Sequence, residues 1–205
     1  MLTFSEAKSR LRTLLAEKSI FHGDFLLSSG AKSKYYVDCK LTTLDPKGAL
    51  LVGQVMRTLI VDEARKRGFK IDAVGGLTMG ADPIALATSI QSSLNDPDDS
   101  MQCFIVRKTP KTHGQTKLIE GNFKTGDLVV VIDDVITRGD STLAAIDAVQ
   151  KEGGRVAFVA VLVDRQEGGR EKIESRGVNV ISAFTRNELF EAAPAAYESP
   201  ARKAA

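Results

Sequence analysis

A run from Val129 to Thr142, VVVIDDVITRGDST, constrains the fold of this chain more than any other stretch. The run begins with four consecutive β-branched residues, 129–132, which is typical of a strand buried on both faces of a parallel sheet. Asp133 and Asp134 follow at once, and a turn of small residues then leads into the helical pattern LAAIDAVQKEGG. Open α/β sheets bind ligands beyond the carboxyl ends of their strands, so this order of elements predicts a ligand site here.

The turn and the acidic pair favour different parts of one ligand. The turn opens a helix, whose unpaired N–H groups and positive dipole end suit a phosphate. Asp133 and Asp134 would repel that phosphate, so they suit a neutral diol or a hydrated Mg²⁺. We expect Asp140 to cap the helix. An ordinary capping turn is the alternative, but two adjacent acids exceed what a cap requires. The run lacks the lysine of a P-loop and the spacing of a dinucleotide fingerprint, and it therefore predicts a phosphorylated sugar as ligand.

Composition narrows the class of protein. The chain has 205 residues, 43% of them hydrophobic, which predicts one compact domain with a small accessory element. The net charge of +2 does not call for a nucleic-acid partner. No apolar run is long enough to span a membrane, and MLTFSEAKSR lacks the apolar stretch of a signal peptide. We therefore expect a cytoplasmic protein without a membrane partner, in which Cys39 and Cys103 are free thiols.

The pattern of the chain predicts a Rossmann-like open parallel sheet flanked by helices. An amphipathic helix from Thr3 to about Glu17 is predicted, with Thr3 and Glu6 at the spacing of a capping box. Together with an antiparallel pair or loop after it, this helix forms an N-terminal hood, about residues 1–44. A core of about residues 45–190 alternates apolar strands with helices. One helix opens at Asp45–Pro46 and runs to the basic end RKRG, and another opens at Pro83. These strands are predicted in IDAVGG, MQCFIVR, VVVI, RVAFVAVLV and VNVISA. The tail, about residues 191–205, is expected to fray.

A basic segment follows the second core strand. Between Arg107 and Ile119 the chain carries no acidic residue, and apolar residues are sparse. Such a segment has little to bury and is expected to stay mobile until a polyanion neutralises it. A solvated basic loop is the alternative, but a sugar-phosphate site nearby favours the polyanion. The basic residues of this segment are Arg107, Lys108, Lys111, His113 and Lys117.

These residues carry a resemblance to a known family. The run 129–142 resembles the phosphoribosyl-pyrophosphate (PRPP) motif of the type I phosphoribosyltransferases. Three further motifs resemble orotate phosphoribosyltransferases: RKxxKxHG at 107–114, YYVDCK at 35–40 and VLVDRQEGG at 161–169. Together the likeness covers about residues 20–190.

The resemblance implies transfer of ribose 5-phosphate from PRPP to orotate, with Mg²⁺ held mainly by PRPP and water rather than by protein ligands. It also implies a homodimer in which the basic loop covers the partner's site. The implied PRPP-binding residues are Arg107, Lys108, Lys111, His113, Asp133, Asp134, Val135, Ile136, Thr137, Arg138, Gly139, Asp140 and Ser141. The implied orotate-binding residues are Tyr35, Tyr36, Thr137 and Arg165. The implied catalytic residues are Lys111, His113, Asp133 and Asp134, and either Lys111 or His113 acts on the leaving pyrophosphate.

Several alternatives stay open at this stage. One branch of the family has lysine in place of Ser28 and tyrosine-lysine in place of Met79 and Gly80. GLTMGADP resembles another branch, which implies that backbone amides of residues 78–81 contact pyrophosphate. Side chains alternate along a strand, so at least one of Tyr35 and Tyr36 is expected to be ordinary packing. Arg165 can instead pair with Asp164 or Glu167.

Two other functions share parts of this pattern. A purine phosphoribosyltransferase would share the central run without needing RKxxKxHG. A PRPP-sensing regulator would keep the pocket but add a nucleic-acid-binding element, and no basic helix-turn-helix pattern is present.

Overall fold

The structure, a computed structural model, describes residues 2–26, 32–109 and 118–192, without the side chains of residues 26, 32 and 33. The predicted mobility of the basic segment, for residues 110–117, and the predicted fraying of the tail beyond residue 192 lie outside the described residues. None of the described helices is long and apolar enough to cross a membrane.

The N-terminal elements form as predicted. Helix α1 (Phe4–Ser19) begins with a capping box, in which Glu6 N donates to the Thr3 hydroxyl at 3.3 Å and Thr3 N donates to the Glu6 carboxylate at 2.8 Å. Strands β1 (Ile20–Leu26) and β2 (Lys32–Val37) pair antiparallel in a separate two-stranded sheet. The hood is therefore a helix and a hairpin.

Two helices lead from the hood into the core. The short α2 (Lys40–Thr43), which the sequence pattern did not predict, precedes the long α3 (Pro46–Arg67). The Asp45 carboxylate caps α3 by accepting from Lys47 N and Gly48 N, each at 2.9 Å. Gly68 ends α3 at a φ of +68°, a left-handed conformation that favours glycine. The predicted start and end of this helix are confirmed.

The core is a six-stranded sheet. Its strands in chain order are β3 (Ala73–Leu77), β4 (Gln102–Val106), β5 (Ile119–Gly121), β6 (Leu128–Ile136), β7 (Arg155–Asp164) and β8 (Val180–Thr185). In space the order is β5-β4-β3-β6-β7-β8. All neighbours are parallel except β4 and β5, which are antiparallel. The predicted parallel sheet is confirmed, with an added antiparallel edge strand.

Helices cover both faces of this sheet, and each face has its own apolar cluster. The remaining helices are α4 (Ala81–Asn95), α5 (Asp140–Lys151), α6 (Gly169–Glu174) and α7 (Arg186–Ala192), with a 3₁₀ turn at Pro97–Asp99. Along β6, Val130 and Ile132 enter the cluster that includes α1, α3 and α4, whereas Val129 and Val131 enter the cluster beneath α5 and α6. The central strand is therefore buried on both faces, as its β-branched run predicted.

The chain reverses its direction of travel across the sheet between β3 and β6. From β3 it continues to β4 on one side, and from β6 it continues to β7 and β8 on the other. β3 and β6 pair only from Ala73–Val129 to Gly75–Val131 and then separate. This topological switch opens a crevice at the carboxyl ends of the two strands, which is the usual ligand site of such sheets.

Candidate functional site

Asp133 and Asp134 lie within β6, not after it as the sequence pattern suggested. β6 continues to Ile136 because β7 pairs with it along this whole stretch, beginning with Asp133 opposite Val161. On the other side, pairing with β3 has already ended at Val131. The two acids are thus held by a rigid strand whose free edge faces the crevice.

Asp133 is buried and held by hydrogen bonds. Asp133 is only 6% exposed as a residue. The Thr142 hydroxyl donates to one carboxylate oxygen at 2.6 Å, and Asp134 N donates to the other at 3.0 Å. Burial, and then the neighbouring charge of Asp134, raises the pKa of Asp133 to about 7. The free site therefore holds an acid that is part-protonated near neutral pH, and a hydrogen-bond donor or a cation would favour its ionised form.

Asp134 faces the turn that follows β3. Burial raises its pKa, and the positive charge of Lys40 opposes that rise. Val135 N donates to its carboxylate at 2.9 Å. A Cβ atom at Gly80 would lie 2.4 Å from an oxygen of the same carboxylate, so any larger residue would require the Asp134 side chain to move. The turn, whose Thr78–Met79 peptide is cis, therefore forms the opposite wall of the crevice.

The turn between β6 and α5, which the sequence predicts to bind a phosphate, opens a helix that has no side-chain cap. Gly139 precedes α5 with a φ of +79°, and none of the described side chains caps the helix. The prediction that Asp140 caps α5 is wrong, because its exposed carboxylate pairs with the Lys172 ammonium of α6 instead. This pairing turns the acid away from the helix axis and leaves the first-turn N–H groups for an anion.

α6 supports this turn from behind at Gly169. A Cβ atom there would lie 2.6 Å from the Thr137 carbonyl oxygen and 2.9 Å from Gly139 N. Such contacts are too short for any side chain, so glycine at position 169 sets how closely α6 approaches the turn. Thr137 is partly buried, whereas Arg138 and Ser141 are exposed at the mouth.

Arg165 lies beside the acidic strand, at the end of β7. Its backbone N donates to the Ile136 carbonyl at 3.0 Å. Arg165 is only 5% exposed as a residue. Its guanidinium lies 2.8 Å from the Glu167 carboxylate and 4.7 Å from the centre of the Tyr35 ring. The Tyr35 hydroxyl donates to the same Glu167 carboxylate at 2.8 Å. The predicted residues Tyr35 and Arg165 are therefore brought together by Glu167.

The other predicted partners are placed differently. Asp164 pairs with Arg170 at 2.8 Å, not with Arg165. Tyr36 contacts Phe25 in the hood, with ring centres 5.8 Å apart. Because side chains alternate along β2, Tyr35 lies next to Arg165, whereas Tyr36 packs within the hairpin.

The structure describes only the two ends of the basic segment, residues 107–109 and 118–119. The guanidinium of Arg107, just after β4, lies 3.6 Å from Glu120, and its Nε donates to the Thr109 carbonyl at 3.3 Å. Lys108 is exposed. Lys111 and His113 lie outside the described residues, so their roles stay predictions.

Sequence reasoning missed three residues of this site. Thr142 was grouped with the turn residues whose hydroxyls and amides can close on an anion, but its hydroxyl reaches back to Asp133, nine positions earlier. Gly169 and Lys40 stand in the motifs VLVDRQEGG and YYVDCK, but neither was assigned. Their contacts depend on elements distant in the chain, which a local pattern does not reveal.

The difference in stability between Asp133→Asn and the wild type should depend on pH. A carboxyl whose pKa is raised from 3.8 to about 7 on folding makes the wild type lose stability as pH rises between those values. The loss amounts to at most about 4 kcal/mol. Asparagine stays neutral, so at about pH 8 the variant should be the more stable protein, with a smaller difference at about pH 4. Urea unfolding across this range measures the difference.

Asp140→Asn is the matched control for this measurement. Its exposed carboxylate has a lowered pKa because Lys172 bonds to it, so its variant should show a weak pH dependence of the opposite sign. A stability gain that Asp133→Asn shows equally at both ends of the range would contradict the assigned pKa.

Comparison with known proteins identifies the family. No family model matches the chain. The orotate phosphoribosyltransferase of Aquifex aeolicus is 42% identical over 186 residues, which cover 89% of this chain and 97% of that protein. The crystal structure of Mycobacterium tuberculosis orotate phosphoribosyltransferase in complex with Fe(III) dicitrate is 39% identical, with a TM-score of 0.76 over 89% of this chain and 98% of that one.

A second M. tuberculosis structure contains PRPP. It is 33% identical, with a TM-score of 0.70 over 90% of this chain and 92% of that one. The identity and the nearly complete coverage on both sides confirm the resemblance seen in the four motifs. The chain belongs to the orotate phosphoribosyltransferase family, within the type I phosphoribosyltransferase fold.

Proposed function

We propose that this chain transfers ribose 5-phosphate from PRPP to orotate, giving orotidine 5'-monophosphate and pyrophosphate in the synthesis of UMP. One observation carries the proposal: the acidic pair of β6, the uncapped helix N-terminus that follows this strand, and Arg165, whose backbone N donates to Ile136 at the end of β6, meet at one edge of the sheet. These three features suit, in order, a ribose diol, a 5-phosphate and an anionic acceptor. We further propose that the enzyme is cytoplasmic.

The residue types agree with the chemistry of the transfer. Breaking the bond between C1 and the pyrophosphate oxygen builds positive charge on the ribose and negative charge on the leaving group. Asp133 and Asp134 would hold the ribose hydroxyls and lie near the developing cation, while Lys111 or His113 would stabilise the leaving pyrophosphate. Closure of the basic segment would also keep water from the cationic sugar.

The described residues fit Mg²⁺ brought in by the substrate. The pair Asp133–Asp134 offers oxygen ligands. Mg²⁺ prefers oxygen, keeps several waters and commonly binds through substrate phosphates with one or two carboxylates. When bound, the ion would neutralise charge on the pyrophosphate.

A base panel tests the proposed reaction. The purified protein should consume orotate, followed by its absorbance, only when PRPP and Mg²⁺ are both present. Hypoxanthine and adenine should remain unchanged under the same conditions. Turnover of a purine with orotate untouched would overturn the proposal, and PRPP binding without any turnover would favour a regulator.

Arg165→Ala should weaken orotate binding selectively. The variant loses a charge-assisted contact to the acceptor, worth about 1.5–3 kcal/mol, so KM for orotate should rise roughly tenfold to a hundredfold. KM for PRPP should change little, because the phosphate turn and acidic pair remain. Steady-state kinetics with each substrate varied in turn measures both values.

Arg170→Ala is the control, because Arg170 of α6 pairs with Asp164 at the end of β7 and also donates to the Val180 carbonyl and the Ser182 hydroxyl. Arg170→Ala should lower the temperature of unfolding and leave both KM values close to those of the wild type. Equal weakening of both substrates by Arg165→Ala would show that Arg165 is structural.

We also propose that the enzyme is a homodimer whose active sites are shared between subunits. Support comes from one exposed face of α4, where Leu86, Ile90 and Leu94 lie four residues apart and are 55%, 50% and 68% exposed. The helix carries no charge between Asp82 and its end at Asn95, so two copies can meet here without repulsion. α4 begins next to Gly80, at the crevice wall, and a partner on this face would lie near the site.

A further inference from the structure

Glu167 is a partner shared by two residues that the resemblance assigns to orotate. Its Oε1 atom accepts from Arg165 Nε at 3.0 Å and from the Tyr35 hydroxyl at 2.8 Å, and Arg165 Nη2 lies 2.8 Å from the same oxygen. Tyr35 belongs to β2 of the hood, whereas Arg165 directly follows β7 of the core. Glu167 therefore joins hood and core at the acceptor end of the crevice, although the proposed reaction gives its carboxylate no role.

Arg165 depends on such partners for its orientation. Only 6% of its side chain is exposed, and a buried guanidinium needs an acid or other acceptors in place of water. Among the described acids, Glu167 is the one in contact with it. The Tyr35 ring lies 4.7 Å from the guanidinium, and Phe190 of α7 packs edge-on against Tyr35 with ring centres 4.9 Å apart. The guanidinium is thus held along one edge and over one face.

The turn between Arg165 and Glu167 has an unusual backbone conformation. Gln166 has a φ of +57°, in the left-handed region that residues other than glycine seldom adopt. Its backbone N donates to the Asp164 carboxylate at 2.8 Å, and Arg170 pairs with the same acid. Such conformations persist where the surrounding structure maintains them, and they cluster at ligand sites. The contact between Glu167 and Arg165 is therefore maintained by the turn and does not depend on two freely rotating surface side chains.

This contact leaves donors of Arg165 for a ligand. A guanidinium has five N–H donors in a fixed planar fork. The edge with Nε and Nη2 faces Glu167, and none of the described residues accepts from Nη1. Carboxylates and carbonyls bind such an edge through charge-assisted hydrogen bonds. Glu167 and an anionic acceptor can therefore bind Arg165 at the same time.

We propose that Glu167 is a positioning residue of the orotate site, which directs the Nη1 side of Arg165 toward the acceptor and holds Tyr35 beside it. This inference rests on the proposed function and names a further residue for it. The alternative is that Glu167 competes with orotate for Arg165. The two roles predict opposite effects, because loss of the carboxylate weakens acceptor binding in the first case and strengthens it in the second.

Two ligands separate the acceptor site from the rest of the crevice: orotidine 5'-monophosphate and ribose 5-phosphate. Isothermal titration of the full chain should show that Glu167→Ala weakens binding of the nucleotide about tenfold. Ribose 5-phosphate, which lacks the base, should bind as to the wild type. Glu167→Gln keeps an oxygen that can accept from Arg165 and Tyr35, so it should recover most of the affinity. Glu171→Ala, which removes an exposed acid of α6, is the matched control and should change neither ligand.

A double-mutant cycle tests whether Glu167 acts through Arg165. Glu167→Ala combined with Arg165→Ala should bind the nucleotide no more weakly than Arg165→Ala alone, because the side chain that Glu167 orients is gone. Additive losses would overturn the positioning role, as would unchanged or tighter binding of the nucleotide by Glu167→Ala.

Failure of this inference can be told apart from failure of the proposed function. A wild type that binds both ligands, with a Glu167→Ala variant that binds them equally well, overturns only the role of Glu167. A wild type that binds neither ligand overturns the proposed function and this inference with it. Glu167→Asp, which keeps the charge but withdraws the carboxylate from Arg165, replaces Glu167→Ala if thermal unfolding shows that the alanine variant does not fold.

Discussion

Lys111→Ala should lower turnover by about a hundredfold to a thousandfold and leave substrate binding close to normal. The family resemblance assigns Lys111 to the charge that grows on pyrophosphate as the bond to ribose breaks. An interaction that strengthens only in the transition state lowers kcat and kcat/KM together when it is removed. Steady-state kinetics with orotate and PRPP, together with direct titration of PRPP, separates turnover from binding.

Lys117→Ala is the matched control, because it removes a positive charge from the same basic segment at a position without an assigned role. It should change kcat little. A rise in KM without a fall in kcat for Lys111→Ala would contradict the assignment and indicate uniform binding instead. His113→Ala in the same assay decides which of the two residues acts on the leaving group, since that residue should lose the larger part of kcat.

Mixing two inactive variants should restore activity. One subunit carries Lys111→Ala, and the other carries Asp133→Asn with Asp134→Asn, so each homodimer lacks part of the machinery at both sites. If the basic segment acts on the partner's crevice, the mixed dimer contains one intact crevice covered by one intact segment. Turnover should then approach half of the wild-type value per mixed dimer.

Absence of turnover in a verified mixed dimer would refute the shared site. A basic segment that acts on its own subunit leaves both sites of the mixed dimer damaged, so no activity would return. Adding Ile90→Glu to both subunits provides a control, because a charge on the exposed face of α4 should prevent association and abolish the recovery. Circular dichroism of that variant checks that each subunit is still folded.

Local patterns predicted the elements whose causes are local. The capping box of Thr3 and Glu6, the Asp45 cap and the left-handed Gly68 each follow from a few neighbouring residues. The central strand was predicted from its β-branched run, and its burial on both faces follows from the same residues. The position of the ligand crevice also followed, because strands alternating with helices leave few arrangements of a parallel sheet.

Elements that depend on distant partners were missed or misplaced. β5 has three residues and exists through its antiparallel pairing with β4. β6 continues through two aspartates, which are uncommon in strands, because β7 pairs with them. α4 begins at Ala81, two residues before the predicted Pro83, as Ala81 is buried in the core.

The same distinction holds for the candidate site. The acidic pair and the turn are contiguous in sequence, and they could be predicted together. Asp140 could not be placed correctly, because Lys172 lies 32 residues away in sequence.

The most direct measurement is a crystal structure of this protein with orotidine 5'-monophosphate. The phosphate should lie on the N–H groups at the start of α5, after Gly139. The ribose hydroxyls should contact Asp133 and Asp134, and the pyrimidine ring should lie against Arg165 and Tyr35. A nucleotide bound outside the crevice between β3 and β6, or bound there with its base on the α5 turn, would show that the proposed site is wrong.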